Sequence, residues 1–177
     1  VPLGESIKGL EAVAPETWFE LASLSKTLAS AMACEYFRAK DISLETSVNW
    51  LVPELLPDGA VTLEQLMNHT ALNMHYVRGF PAGQPLPKAG ELIQGRHGYE
   101  KVALTGRAGE KFSYSGGGFL ALEHLLETLV ETPIQELLAA YLEELGLKET
   151  GFDAQGAQTA HGYLDSGQDV PGRRPTS

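Results

Sequence analysis

"FELASLSKTLAS", residues 19–30, sets Ser23, Ser25 and Lys26 close together in a stretch that otherwise has the composition of a buried helix. Neither Gly nor Pro interrupts residues 23–40, and Ala, Leu and Met recur there, so the spacing predicts a helix from Ser23 to about Lys40. Positions i and i+3 share a helix face, so Ser23 Oγ and the Lys26 amine can meet. Ser25 is the worse partner, because adjacent helical side chains point about 100° apart. A serine hydroxyl is a weak nucleophile until a neighbouring base takes its proton. A partly buried lysine can lose its charge and become that base. In the first turn, the Ser23 N–H is free to face a developing oxyanion. The same residues also read as a helix N-cap followed by a lysine whose stem lies along apolar surface. An S-x-x-K arises by chance about once in one or two chains of this length. Other parts of the chain must decide.

Composition narrows the classes. The 177 residues suit one domain or part of a larger one, and an apolar content of 43% supports a packed core. Thirteen Lys and Arg stand against 23 Asp and Glu, a net charge of -10. Such a chain repels phosphate backbones, and no basic cluster offsets this, which excludes a nucleic-acid partner. Cys34 is the single cysteine, so neither an intrachain disulfide nor a cysteine zinc site is expected. It falls on the same helix face as Ser23 and reads as a small buried residue, not a nucleophile. No apolar run reaches the length of a membrane span. Periplasmic, secreted and cytoplasmic locations all stay open.

Residues 1–17 read as a connecting segment, with a turn at "APET" (14–17). "SLETSVNWLVPEL" (43–55) suggests a short helix stopped near Pro53. "TLEQLMNHT" (62–70) suggests another, with Thr62 as N-cap. Residues 71–111 are rich in Gly and Pro and read as a long surface connection with helical pieces near 89–104. Two stronger helices follow. Phe119, Leu122, Leu126 and Leu129 form one apolar stripe. Ile134, Leu137, Leu138, Tyr141, Leu142 and Leu145 form a second, opened by Pro133 and closed by Gly146. Periodicity is lost after Phe152, and "DVPGRRPTS" (169–177) is loop-like.

The second chemical feature is "EKFSYSGGGFLALEHLLE" (110–127). A strand-like "KFSY" leads into Ser115, three glycines and a helix. The glycines permit a tight turn and close approach of another group. Tyr114, just before them, is placed to project into a cleft, where a nearby ammonium favours its ionised, basic form. The same stretch also reads as a helix cap with a core tyrosine; a phosphate loop is disfavoured, because the Lys and Ser/Thr of a P-loop do not follow the glycines. The histidines carry less. His69 and His75 are off the i, i+4 metal spacing, His124 lies on a polar helix face, and His161 sits in a loop. No G-x-S-x-G elbow is present.

Four segments together resemble the serine β-lactamase and penicillin-binding-protein superfamily, in its class C β-lactamase-like branch with D-Ala-D-Ala carboxypeptidases, D-aminopeptidases and esterases. "FELASLSKT" resembles the first motif. "VTLEQLMNHTA" (61–71) resembles the short helix ending in Leu-x-x-His-Thr, and "GEKFSYSGGGF" (109–119) the Tyr-x-Asn loop. "LGLKETGF" (145–152) is similar to the segment after the next long helix. The resemblance implies an α+β, β-lactamase/transpeptidase-like fold, of which this chain is mostly the helical part with most of the antiparallel sheet missing. Residues 1–22 are the expected lead-in from the sheet, 23–153 the helical region with both motifs, and 154–177 a loop returning towards the sheet.

The resemblance further implies that Ser23 is the acylated nucleophile, Lys26 the amine that helps deprotonate it, and Tyr114 the partner base. Which of Lys26 and Tyr114 is the base stays open. Ser115 and Gly116 take the places of the substrate-binding part of the second motif. Gly116 stands where the family carries Asn, which tilts the expectation from β-lactams and peptides towards esters. The third motif, Lys/His-Thr/Ser-Gly on a core strand, has no counterpart, so the remainder of a longer protein is expected to supply it. The implied activity is hydrolysis of a small ester, amide or β-lactam-like substrate through an acyl-enzyme, with no cofactor or metal. The alternative is a non-catalytic or penicillin-sensor-like homologue of the same fold.

Overall fold

The computed structural model describes residues 1–56, 61–75, 77, 80–81, 85–152, 158–168 and 173–174. Its elements in order are β1 (Glu5–Ile7), β2 (Glu11–Ala12), α1 (Ser25–Ala39), α2 (Val48–Leu51), α3 (Leu63–Met67), β3 (Phe80–Pro81), α4 (Ala89–Ile93), α5 (Gly116–Val130), α6 (Ile134–Glu144) and β4 (Arg173–Arg174). A 3-10 turn, Ala22–Leu24, runs directly into α1. The helix expected from Ser23 is therefore present, but its first turn is wound more tightly.

Helix α5 is the centre of the core and packs against α3 and α4. Its expected single stripe is too narrow. Leu120, Ala121 and Leu125 are buried along with Phe119, Leu122 and Leu126. A helix covered from several sides is apolar nearly all round. Phe37 of α1, Val48 of α2, Leu63 and Leu66 of α3, and Leu92 of α4 complete the same cluster. Helix α6 keeps a true stripe, with Leu138 and Leu142 buried and Leu145 exposed.

Helix ends follow local chemistry. The Thr62 hydroxyl accepts from the Gln65 N–H while the Gln65 side chain accepts from the Thr62 N–H, a closed capping box. Beyond α6, Leu147 N–H returns to Leu142 O and Gly146 N–H to Glu143 O. This terminator needs a left-handed residue at Gly146, whose φ is +73°.

Several expectations are corrected. Residues 5–12 form an irregular antiparallel hairpin, not a plain connection. Residues 158–163 clasp it: Trp18 pairs with Thr159, Gln158 Nε2 donates to Ser6 Oγ, and His161 N–H donates to Ser6 O. The 71–111 segment is not all surface. Ala71, Leu72, His75, Ala89, Leu92, Ile93 and Val102 are buried, with Val102 N–H bonded to Ile93 O. "KFSY" is loop: the Ser113 N–H bonds to His69 O, and among the described residues the stretch joins no ladder. Cys34 is only half-buried. His124 is half-buried, its ring lying over Gly90 of α4. Of the loop-like end at 169–177, Arg173–Arg174 pairs antiparallel with Phe80–Pro81. The rest of that end lies outside the described residues.

Candidate active site

Ser23 lies at the middle of the 3-10 turn and is exposed. The residue before it, Ala22, has φ 44°, a left-handed backbone that costs an L-residue about 1–2 kcal/mol. Leu24 N–H bonds to Leu21 O, and Ser25 N–H to Ala22 O and Ser23 O. Among the described residues the Ser23 N–H has no acceptor. A strained turn thus presents both the hydroxyl and a free donor ahead of α1.

Lys26 is half-buried one turn further on. Among the described residues no hydrogen bond joins Ser23 Oγ to Lys26. The ammonium instead lies 5.3 Å from the centroid of Phe119 and 6.0 Å from that of Tyr114. Both separations fall within the range of a cation–π contact. The fold therefore brings the first-motif amine to the second-motif phenol, which are far apart in sequence. Tyr114 is 39% exposed, so the phenol stands at a surface where a substrate can reach it.

Ser115 does not share that surface. It is buried, and its hydroxyl donates to Asn73 O and accepts from Gly118 N–H as the N-cap of α5. The hydroxyl's one donor and one of its two acceptor sites are committed to the fold, so its evident part is structural. Gly116 N–H is likewise taken, by Met74 O at 2.7 Å. A β-carbon at Gly116 would lie 2.6 Å from the same oxygen, and one at Gly118 2.6 Å from Leu66 O. The glycines are thus where the end of α5 meets the backbone of two other segments.

His69 is a site residue that motif spacing missed. It follows α3 with φ 61°. Its carbonyl accepts from Ser113 N–H at 2.7 Å, and its Nδ1 accepts from Ser115 N–H at 3.1 Å. Its ring lies 4.5 Å from that of Tyr114, 5.4 Å from Phe119 and 5.8 Å from Phe112. Burial lowers its pKa, and the charge of Lys26 acts in the same direction. Its local signals are its place in the Leu-x-x-His-Thr segment and a histidine just past the helix cap Asn68, where glycine is usual.

Two grooves lie beside these residues or away from them. One of about 350 Å³ flanks the Tyr114 loop, between Thr70, Thr105, Arg107, Glu110, Phe112 and Ser113. The other, about 390 Å³, lies away from Ser23, between Pro87, Lys88 and the glutamates of α5. There burial and the neighbouring Glu127 push the Glu123 carboxyl up to about 8. Glu127 also accepts the first N–H of α6, from Ile134. Among the described residues no His, Cys, Asp and Glu group is arranged to hold a metal. No described helix is long and apolar enough to cross a membrane.

The architecture is shared with several solved structures. A class C beta-lactamase superposes with a TM-score of 0.78 at 20% identity, over 98% of this chain and 48% of the other. EstCE1, a hydrolase with promiscuous acyltransferase activity, gives 0.73 at 22% identity over 96% and 49%. A penicillin-binding protein from Bacillus halodurans gives 0.69 at 21% identity over 95% and 56%. The chain spans about half the length of these structures. The family model described as Beta-lactamase matches residues 4–176, and the chain therefore belongs to the beta-lactamase family and has the β-lactamase/transpeptidase-like fold.

Proposed function

We propose that this chain carries the nucleophile half of a serine hydrolase that cleaves a small ester or amide through an acyl-enzyme, with esters favoured. The observation that supports this most is the approach of the Lys26 ammonium to within 6.0 Å of the Tyr114 ring centroid, with Lys26 three residues after an exposed Ser23. Ser23 Oγ attacks the substrate carbonyl carbon, and its proton passes to the Lys26–Tyr114 pair. Collapse of the tetrahedral intermediate expels the alcohol or amine, which takes that proton back. Water then hydrolyses the acyl-serine by the reverse route. The Ser23 N–H is one donor to the oxyanion. The second donor and a third motif are assigned to residues outside 1–177.

The preference for esters rests on Gly116. The family's Asn at this position helps hold an amide, and no side chain fits here against Met74 O. Groups able to act as base and donor are present without a metal, so none is assigned. The substrates are small molecules, not nucleic acid.

Ser23→Ala in the intact protein tests the mechanism: burst-phase acylation by an activated ester, and labelling by a fluorophosphonate, are expected to vanish. A burst that survives the change overturns it. Intact mass after a β-lactam or fluorophosphonate separates a related reading. With the β-lactam, recovery of the free mass supports turnover and a stable adduct supports a penicillin-sensor-like binding role, whereas the fluorophosphonate adduct, stable in either case, reports only that Ser23 is nucleophilic.

A further inference from the structure

His69 stands where helices commonly place glycine. α3 gives way to Asn68, Thr70 N–H returns to Gln65 O, and His69 between them takes a left-handed φ of 61°. Glycine adopts this backbone freely and an L side chain only at a cost. That cost is offset by what the residue grips. The His69 carbonyl holds Ser113 N–H and its ring nitrogen holds Ser115 N–H, the two residues on either side of Tyr114. The ring itself lies on the Tyr114 ring at 4.5 Å, tilted by 33°. Tyr114 is therefore held at three points by one residue. The ammonium of Lys26 lies over Tyr114 and Phe119, both neighbours of the His69 ring.

We propose that His69 is a positioning residue that holds Tyr114 in register with Lys26, acting as a neutral imidazole with its proton on Nε2. The tautomer follows from geometry. Ser115 N–H points at Nδ1, which must offer a lone pair. A protonated Nδ1 would face that donor with a second one and would add a positive charge beside Lys26. The consequence for catalysis rests on the acyl-enzyme reading, whereas the grip on the loop does not.

Two substitutions separate positioning from gap-filling. His69→Phe keeps a ring and removes the acceptor. His69→Asn keeps an acceptor near the place of Nδ1, loses the ring and tolerates a left-handed backbone. In His69→Phe, amide exchange at Ser115 is expected to accelerate while Ser113, bonded to the carbonyl, stays protected. Fluorophosphonate acylation of Ser23 is expected to fall about 10- to 100-fold. His69→Asn is expected to restore Ser115 protection and part of the acylation rate. The nitrogen-15 shift of His69 Nδ1 at neutral pH is expected to be that of an unprotonated nitrogen. Unchanged Ser115 exchange and acylation in His69→Phe, or a protonated Nδ1, overturns the proposal. So does an equal loss of acylation in both variants that follows their melting temperatures, since that marks a filler. If the wild type takes no label at Ser23, the acyl-enzyme reading falls by itself. Ser115 exchange then decides the positioning role: acceleration in His69→Phe upholds it, and no change sinks it.

Discussion

The carbonyl oxygen of Met74 occupies the space that any side chain at Gly116 would need, 2.6 Å from an ideal β-carbon. The absence of the family's Asn is thus built into the backbone of residues 73–75. Gly116→Asn is expected to destabilise the protein by about 1–3 kcal/mol through overpacking. It should not raise activity on amides relative to esters. Urea unfolding and paired ester and amide assays check this. A variant of native stability with enhanced amide cleavage would show that the 73–75 backbone yields easily.

Ser115 tests the same junction from the other side. Ser115→Ala removes the N-cap of α5, leaving the buried Gly118 N–H without its acceptor and Asn73 O with only the Gly117 N–H. The expected loss is about 1–3 kcal/mol, combining a lost cap with an unsatisfied group. A midpoint shift in chemical denaturation measures it. A wild-type midpoint together with a large rise in KM would return Ser115 to the substrate surface.

Lys26 can be tested by a pair of changes. Lys26→Ala is expected to slow acylation of Ser23 by about 10²- to 10⁴-fold, the usual worth of a positioned acid–base group. Lys26→Arg retains a cation able to lie over Phe119 and Tyr114 but cannot release a proton near neutral pH. It should therefore fold normally and remain slow. Near-wild-type rates in Lys26→Arg would limit Lys26 to an electrostatic role.

Glu123 gives a pH prediction. Its folded value of about 8 lies above the ordinary 4.5, so the fold favours the protonated carboxyl. That contribution is fully present below the ordinary value and is lost as pH rises towards the folded value. Glu123→Gln stays neutral throughout. Its stability should match the wild type near about pH 4 and exceed it by on the order of 1–3 kcal/mol near pH 8. Parallel curves across that range, measured by urea unfolding, would show that Glu123 is solvated.

Much of the architecture is legible in the residues themselves. The span of α1, the capping box of Thr62 and Gln65, and the bounds of α6 between Pro133 and Gly146 rest on contacts within a turn or two. The i, i+3 spacing of Ser23 and Lys26 is equally local, but among the described residues the Lys26 ammonium lies over Phe119 and Tyr114 and no hydrogen bond joins it to Ser23. The likeness of four segments to one family carries the rest of the fold class, and the match over residues 4–176 agrees.

What sequence spacing misses is made by contacts between distant segments. The burial of Leu120 and Leu125 depends on α5 being covered by α3 and α4. The hairpin at 5–12 is held by Gln158, whose Nε2 donates to Ser6 Oγ and the Glu11 carboxylate, and by His161, whose N–H donates to Ser6 O. Ser115 reads as a site residue until Asn73 takes its hydroxyl, and His69 reads as a spare histidine until Ser113, Tyr114 and Ser115 close around it. The sequence by itself determined which helices form and which side chains share a face, because hydrogen bonds and caps a few residues apart settle both. Only the tertiary structure decided where the backbone is strained and which polar groups remain free for chemistry, because a donor's partner can come from anywhere in the chain.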